Sequence, residues 1–323
     1  MVRIAVLDDY QDVALAMAEW SQLPDAQIEA FRDHLDDRDA LAARLAPFEV
    51  VVAMRERTPF PRTLLERLPA LRLLVTTGMG NAAIDVAAAH DRGVTVCGTG
   101  GLPHPTAELA WALILALARQ IPREDRSVRE GGWQVTLGRE LSGSTLGVLG
   151  LGNLGSQVAR IGVAFGMDVI AWSEHLTVER AAECGAALVA KDELLERADV
   201  VTIHLKLSPR TRGLLGAREL ALMRPGAYLV NTSRGPIVDE PALIEALERG
   251  AIAGAGLDTF DVEPLPAGHP LRRLPNTVLT PHLGYVTEDT YRRFYGEAVE
   301  DVAAFLRGEP LRVVDADPDY EAG

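Results

Sequence analysis

The chain has 323 residues, of which 48% are hydrophobic and 24% are charged, as is ordinary for soluble globular proteins. A chain of this length exceeds one average domain and predicts two domains with substantial cores. Its formal net charge of −14 argues against nucleic-acid and anionic-membrane partners, because both attract basic surfaces.

The first 97 residues alternate between strand and helix patterns. Strands are predicted at 2–7, 27–31, 49–53, 73–76 and 94–96, and helices near 10–20, 38–45, 61–67 and 84–91. Such alternation is typical of βαβ units around a parallel sheet. Since this part has no glycine-rich fingerprint for a dinucleotide, we interpret it as a substrate-side domain.

Two loops of this domain could bind a ligand. Arg55 and Arg57 follow the third strand, at the carboxyl edge where parallel sheets bind ligands, although solvated loop arginines are an equal alternative. Gly78-Met79-Gly80 follows the fourth strand, where backbone N–H groups could hold a carboxylate, or where the chain simply turns.

The middle of the chain begins with a glycine- and proline-rich linker, predicted at 98–105, and an apolar helix at 106–119. Because this helix is apolar on nearly every side, we expect it to be sandwiched between domains or subunits.

The stretch from 145 to 174 predicts a dinucleotide site. An apolar strand leads into Gly150-Leu151-Gly152-Asn153-Leu154-Gly155, a G-x-G-x-x-G turn, and a helix is expected at 156–165. In such a turn the first glycine permits the bend, the second lets the backbone approach a pyrophosphate, and the third lets helix and strand pack closely. A second strand leads to Glu174, about 20 residues further on, where an acidic residue can bind the adenosine ribose.

A second alternation begins at this motif. Strands are predicted near 146–150, 168–172, 199–204, 227–231, 253–257 and 277–280, which makes a doubly wound sheet. The helix at 287–307 has one apolar face, and we expect it to return to the first domain. The acidic end, 315–323, is expected to be loose.

Polar residues that suit acid–base chemistry follow three of these strands. Arg234, Glu263 and His282 can converge, because ligands in doubly wound sheets collect at the carboxyl ends of the strands. An arginine can hold a substrate carboxylate through two hydrogen bonds. A histidine can transfer one proton near neutral pH while a neighbouring carboxylate stabilises its charged form. Taken singly, a helix-entry charge, a turn residue and a core histidine are the alternatives, but the shared position at strand ends argues against coincidence.

These motifs resemble the D-isomer-specific 2-hydroxyacid dehydrogenases along nearly the whole chain. The resemblance is carried by the glycine turn at 150–155, by 226–240 with its Asn-Thr-Ser-Arg-Gly sequence, by 253–258, by Glu263-Pro264 and by Pro281-His282-Leu283-Gly284. It implies an α/β fold of two doubly wound domains. A Rossmann-type dinucleotide-binding domain, 101–286, would be inserted into a discontinuous flavodoxin-like substrate (catalytic) domain, 1–100 and 287–323.

The same resemblance implies roles for individual residues. The catalytic set would be Arg234, Glu263 and His282. The residues expected to contact the cofactor are Gly150, Gly152, Asn153, Leu154, Gly155, Ser173, Glu174, His204, Thr232, Ser233, Arg234, Asp258, His282 and Gly284. Those expected to contact the substrate are Arg55, Met79, Gly80, Arg234 and Tyr285.

The implied reaction moves a hydride between a nicotinamide dinucleotide and a small 2-keto acid or D-2-hydroxy acid. Glyoxylate-, hydroxypyruvate- and phosphoglycerate-like substrates all fit this description. Phosphoglycerate oxidation with allosteric control is less attractive, because the chain stops without a regulatory domain. An NAD(H)-sensing binding protein of the corepressor type is the competing interpretation. The resemblance also implies a homodimer.

The expected coenzyme is NAD, with NADP as the alternative. The acid that usually binds the ribose would align with Ser173, whereas the acidic residue here is Glu174. A serine in that position is a feature of some NADP users, whose 2′-phosphate needs basic partners. The cations nearest along the chain are His175 and the more distant Arg180.

The spacing of the cysteines and histidines predicts no metal site, and the apolar segments predict no targeting sequence. Cys97 and Cys184 lack metal-ligand spacing, so buried free thiols in a reducing compartment are expected, and the histidines also lack such spacing. The chain opens on a strand, and its most apolar helix, 111–118, is shorter than the roughly 20 residues that span a bilayer, so we predict a cytoplasmic protein.

Overall fold

The computed structural model describes residues 1–315, and the end of the chain predicted to be loose lies outside them from residue 316 onward. The chain divides into two compact units, Met1–Leu102 with Thr287–Gly323, and Pro103–Val286. Each unit contains one parallel sheet. The predicted α/β class is therefore confirmed.

Strands and helices alternate along the chain. The strands are β1 (Val2–Val6), β2 (Ala26–Ala30), β3 (Val50–Ala53), β4 (Leu73–Thr76), β5 (Thr95–Gly98), β6 (Thr145–Leu149), β7 (Asp168–Trp172), β8 (Ala187–Leu188), β9 (Val200–Ile203), β10 (Tyr228–Asn231), β11 (Gly254–Leu257) and β12 (Thr277–Leu279). The helices are α1 (Arg38–Leu45), α2 (Arg62–Leu65), α3 (Val86–Asp91), α4 (Pro105–Ala118), α5 (Ile121–Arg129), α6 (Asn153–Ala164), α7 (Val178–Ala182), α8 (Lys191–Arg197), α9 (Ala217–Leu222), α10 (Glu240–Glu248) and α11 (Glu288–Leu306).

The sheet of the first unit has the strand order β2-β1-β3-β4-β5, with every pair parallel. This is the order of flavodoxin-like doubly wound sheets. All residues of β3 and β4 are buried. Apart from Thr76 at the end of β4 they are apolar, as expected for strands that are covered on both faces. The side chain of Asp37 caps α1 by accepting hydrogen bonds from the N–H groups of Asp39 and Ala40.

The prediction of a helix near 10–20 is wrong. This segment forms turns, and only a short 3-10 turn at its end is helical. The buried Asp9 carboxylate accepts hydrogen bonds from the N–H groups of Val13 and Ala14, both at 3.0 Å. The indole of Trp20 donates to the carbonyl of Ala14 at 2.9 Å. Side chains thus satisfy backbone groups that a helix would have paired with each other.

The sheet of the second unit has the order β12-β11-β10-β9-β6-β7-β8, again with every pair parallel. The order reverses at β6, as in a Rossmann sheet. All strands predicted for this part are present. The two-residue β8 was not predicted, because two residues carry no periodic pattern. The apolar α4 packs against β10, β11 and β12.

Helix α11 of the first unit buries a carboxylate. One oxygen of Asp301 accepts a 3.0 Å hydrogen bond from Arg312, while the other has no hydrogen-bond partner within residues 1–315. Burial raises the pKa of Asp301 from its ordinary value of 3.8 to about 7, although Arg312 acts in the opposite direction. Between these pH values the folded protein keeps a proton at Asp301 that the unfolded chain releases.

Asp301→Asn is expected to flatten the pH dependence of stability. As the pH rises from about 4 to 7, Asp301 lowers the free energy of unfolding by up to about 1.4 kcal/mol per pH unit, because the unfolded state ionises more readily. Asparagine cannot ionise, so this contribution should vanish. Urea unfolding across the range measures the slope, with Glu300→Gln as a control that removes an exposed partner of the same arginine. Equal slopes for wild type and Asp301→Asn would contradict the prediction.

Candidate active site

Strand β6 ends in a glycine turn that permits close approach. Gly150 has φ +93, and a Cβ there would come within 2.7 Å of the carbonyl oxygen of His204. A Cβ at Gly155 would collide with the carbonyl of Gly150, so only glycine lets α6 pack this closely. Nothing lies within 4 Å of the position a Cβ on Gly152 would take. The helix begins at Asn153, earlier than predicted, and no side chain caps it.

The start of α6 fits a phosphate group. A helix of 12 residues presents backbone N–H groups and the positive end of its dipole at this point. Because nothing lies within 4 Å of the Cβ position of Gly152, the residue before this helix, space is open on that side of the turn for an anion to approach the backbone. The turn therefore has the properties that pyrophosphate binding requires.

Buried polar atoms follow three adjacent strands of the same sheet. Nδ1 of His204, after β9, and the hydroxyls of Thr232, after β10, and Thr259, after β11, are buried without a hydrogen-bond partner among the described residues. Burial lowers the pKa of His204 to about 4, so its ring is neutral at pH 7. Since buried polar groups are normally hydrogen-bonded, this edge of the sheet fits a polar ligand such as a dinucleotide.

Strand β7 is followed by Ser173 and Glu174, the residues assigned to the ribose. Because β7 and β9 flank β6 on its two sides, the loops after these strands adjoin the glycine turn. Arg210, in the loop after β9, binds the Glu174 carboxylate at 2.7 Å. Chain proximity pointed to His175 and Arg180 and missed Arg210, which lies 36 residues beyond Glu174.

The segment after β10 presents Arg234. The side-chain amide of Asn231 donates to the carbonyl of Arg234 at 2.9 Å, and its oxygen accepts from the N–H of Ser233 at 3.0 Å. The Arg234 guanidinium donates to the carbonyl of Ser233 at 2.8 Å. The next residue, Gly235, packs on the backbone of Phe260, with which any Cβ would collide. Glycine is therefore required for the Arg234 segment to meet the loop after β11.

The loop after β11 carries Glu263. One of its oxygens accepts a hydrogen bond from the N–H of Phe260 at 2.9 Å, and the other lies 2.6 Å from Nδ1 of His282. With Nδ1 engaged by this carboxylate, Nε2 is the ring nitrogen that remains for proton exchange. The Tyr285 ring packs edge-on against the His282 ring, with centroids 5.5 Å apart. Two members of the predicted catalytic set are thus in contact.

Asp258 orients the backbone that carries His282. Its buried carboxylate accepts hydrogen bonds from the Thr280 hydroxyl at 2.6 Å, the Leu283 N–H at 2.7 Å and the Gly284 N–H at 2.9 Å. The His282 N–H donates to the Asp258 carbonyl at 2.9 Å. Burial raises the pKa of Asp258, while the hydrogen bonds and His282 act in the opposite direction. The sequence suggested a cofactor contact for Asp258 and missed this orienting role.

The predicted substrate residues of the first unit lie in the loops after β3 and β4. The Arg55 guanidinium donates to the carbonyl of Thr77 at 3.1 Å and lies against Gly78, where any Cβ would collide with it. Gly78 has φ +90, which also favours glycine. Met79 and Gly80, at the tip of the second loop, are exposed. The first unit therefore holds Arg55 beside the backbone turn that was predicted to meet a carboxylate.

Two further residues, Arg57 and Asn81, hold these loops. Arg57 donates to the carbonyl of Asp8 at 2.8 Å, which ties it to the loop after β1. The amide of buried Asn81 donates to the carbonyl of Arg55 at 2.6 Å and to the hydroxyl of Thr76 at 2.8 Å. Asn81, which the sequence analysis missed, therefore links the two loops.

Comparison with known proteins places the chain in a family. Residues 111–284 match the family of D-isomer specific 2-hydroxyacid dehydrogenases through its NAD binding domain. The chain is also 44% identical over 256 residues to a glyoxylate reductase from Aeropyrum pernix, a match that covers 76% of each protein. It belongs to the D-isomer specific 2-hydroxyacid dehydrogenase family. The predicted family, enzyme class and nicotinamide dinucleotide cofactor are therefore confirmed.

Phosphoglycerate enzymes are similar to this dehydrogenase as well. It is 38% identical over 278 residues to a D-3-phosphoglycerate dehydrogenase from Archaeoglobus fulgidus, covering 85% of this chain and 53% of that relative, so it spans about half of the relative's length. Among solved structures, the phosphoglycerate oxidoreductase from Vibrio cholerae O395 has a TM-score of 0.91 at 39% identity, covering 95% of this chain and 100% of that one.

Other sequence predictions concern metals, membranes and thiols. Within residues 1–315, no three His, Cys, Asp or Glu side chains are grouped so as to hold a metal ion. The helices in that range are each too short or too polar to cross a bilayer. Cys97 and Cys184 are both free and buried, as predicted, and burial raises the pKa of the Cys97 thiol to about 12.

Proposed function

We propose that this dehydrogenase interconverts small 2-keto acids of the glyoxylate and hydroxypyruvate kind with the corresponding D-2-hydroxy acids. The observation that carries the proposal is the contact between His282 and Glu263, at 2.6 Å, in the unit that also contains the glycine turn and Arg234. The similarity to a glyoxylate reductase over 76% of both chains supports glyoxylate as the first substrate to test. A phosphoglycerate-like substrate is the competing candidate.

In the reductive direction, Arg234 holds the substrate carboxylate and polarises the 2-keto oxygen. His282 donates a proton from Nε2 to that oxygen as negative charge develops on it. Glu263 accepts the hydrogen bond from Nδ1, which orients the ring so that Nε2 faces the substrate oxygen. A bound nicotinamide dinucleotide supplies the hydride. In the oxidative direction, Nε2 accepts the hydroxyl proton instead.

The second unit supplies the groups that would hold the dinucleotide. The turn at 150–155 and the start of α6 would bind the pyrophosphate, and Ser173 and Glu174 would adjoin the adenosine ribose. The remaining proposed contacts follow the other strands of the sheet: His204, Thr232, Ser233, Arg234, Asp258, His282 and Gly284. Support comes from the open position at Gly152 and the buried hydroxyl of Thr232 that has no partner in residues 1–315.

The proposed substrate contacts include loops of the first unit. Arg55, Met79 and Gly80 would contribute there, and Tyr285 would contribute in the second unit beside His282. We also propose a homodimer, as the family resemblance implies, which size-exclusion chromatography with light scattering would test. The two free buried thiols fit a reducing compartment such as the cytoplasm.

A substrate panel tests the proposed function. Glyoxylate, hydroxypyruvate, 2-ketobutyrate and phosphohydroxypyruvate are each mixed with enzyme and either NADH or NADPH, and loss of the reduced nicotinamide absorbance is followed. We expect turnover, with the highest kcat/KM for glyoxylate or hydroxypyruvate. A higher value for the phosphorylated acid would favour the phosphoglycerate-like candidate. Dinucleotide binding without turnover of any acid would favour an NAD(H)-sensing protein.

A further inference from the structure

An arginine from a distant loop neutralises the acid next to the ribose position. Glu174 follows β7 by two residues, and Arg210 reaches its carboxylate with an N–O distance of 2.7 Å. The N–H of Gly150 donates to the carbonyl of Trp172 at 2.8 Å, which fixes the end of β7 against the start of the glycine turn. The pair therefore lies beside the motif proposed to bind the dinucleotide.

The two charges of this pair have opposite effects on a 2′-phosphate. A carboxylate next to the ribose favours a 2′-hydroxyl, from which it can accept hydrogen bonds, and repels a phosphate. Arg210 removes that net negative charge and adds a guanidinium, whose planar N–H groups match a phosphate. Ser173, the residue before Glu174, carries no charge and can donate a hydrogen bond.

The pair can also exchange partners. Both side chains are well exposed, 68% for Arg210 and 57% for Glu174, and exposed ion pairs of this kind contribute little to stability. Arg210 can therefore turn from Glu174 to a phosphate without disturbing the fold. Arg180 instead pairs with Glu183, one helical turn along the chain, at 2.9 Å.

We propose that Arg210 is the residue that selects the coenzyme, and that through it the enzyme accepts the 2′-phosphate of NADPH. This inference rests on the proposed dinucleotide site and deepens it. Arg210 contacts the phosphate directly, whereas Glu174 opposes phosphate binding and holds Arg210 in place when the phosphate is absent. The unphosphorylated coenzyme gains nothing from Arg210, because it has no anion at the 2′ position.

Calorimetric titration with NADPH and NADH, without any keto acid, tests this proposal for wild type, Arg210→Gln and Arg180→Gln. Wild type is expected to bind NADPH at least as tightly as NADH. Arg210→Gln is expected to shift the ratio of the two dissociation constants toward NADH by about tenfold or more, the scale of a lost charge-assisted hydrogen bond. Arg180→Gln, which removes a matched exposed arginine, should leave the ratio within about twofold.

Three outcomes would overturn the proposal: a wild type that binds NADH at least tenfold more tightly than NADPH, an Arg210→Gln variant with an unchanged ratio, or an equal shift in Arg180→Gln. Glu174→Gln is a second variant, for which the expected shift in the ratio of dissociation constants has the opposite sign. Loss of the carboxylate should improve NADPH binding relative to NADH. A failure of the proposed enzymatic function would appear instead as absent turnover in the substrate panel. Binding selectivity is measured without turnover, so the two failures are distinguishable.

Discussion

His282→Ala is expected to lower kcat for 2-keto acid reduction by about 10²- to 10⁴-fold, the usual contribution of a positioned general acid. Glu263 holds Nδ1 of this ring at 2.6 Å, so Nε2 is the atom that can exchange a proton with substrate. The affinity for the coenzyme should change far less, because most of the proposed dinucleotide contacts lie elsewhere on the strand ends. Steady-state kinetics together with coenzyme titration separates the two effects.

Because His282 has φ +55, this experiment must separate the effect of backbone strain from the loss of the proton-transferring side chain. Asparagine tolerates this left-handed conformation better than alanine does, yet it cannot transfer a proton at neutral pH. His282→Asn should therefore reproduce the loss of kcat. His269→Ala is a matched control, since His269 also pairs with a glutamate, Glu240, at 3.0 Å in the same unit. A control that loses as much activity as His282→Asn would contradict the assigned role.

Gly235→Ala is expected to reduce kcat/KM by about a hundredfold, the cost of a displacement of about 1 Å in a catalytic group. The added methyl group would collide with the carbonyl of Phe260, and backbone atoms cannot move aside as a flexible side chain can. The N–H of Phe260 also binds Glu263. The collision should therefore separate the Arg234 segment from the segment that orients His282.

Gly268→Ala is the matched control for this change. Gly268 lies in the loop that follows Glu263, and nothing lies within 4 Å of the position its Cβ would take. It should keep nearly full activity. Circular dichroism should show that Gly235→Ala remains folded, with a lower melting temperature. Full activity of a folded Gly235→Ala would mean that contact with Phe260 does not set the catalytic geometry.

Local sequence patterns predicted most of the fold because the spacing of apolar residues reflects which residues are buried. Strand β3 is apolar throughout and β4 is apolar up to Thr76, a pattern typical of strands covered on both faces. The glycine turn was recognisable because its three glycines have separate steric reasons at fixed offsets. The helix near 10–20 was mispredicted, since its pattern does not show that Asp9 and Trp20 take the backbone groups.

In the candidate site, too, some features could be predicted from local patterns and others could not. Arg234, Glu263 and His282 could be named because each follows a predicted strand and because the surrounding residues resemble a known family. The contacts of Arg210, Asp258 and Asn81 could not be named in this way. Each pairs with a residue on another loop, and no spacing along the chain indicates which residue that partner is.

The sequence by itself determined the parallel α/β architecture, the turn for a dinucleotide and the residues able to carry a proton or hold a carboxylate. These follow from periodicity, from glycine sterics and from side-chain chemistry, all of which are local. Only the tertiary structure decided which cation neutralises Glu174 and which carboxylate orients the backbone around His282. Strand order makes that choice, because it brings together loops that are 36 residues apart in one case and 25 in the other.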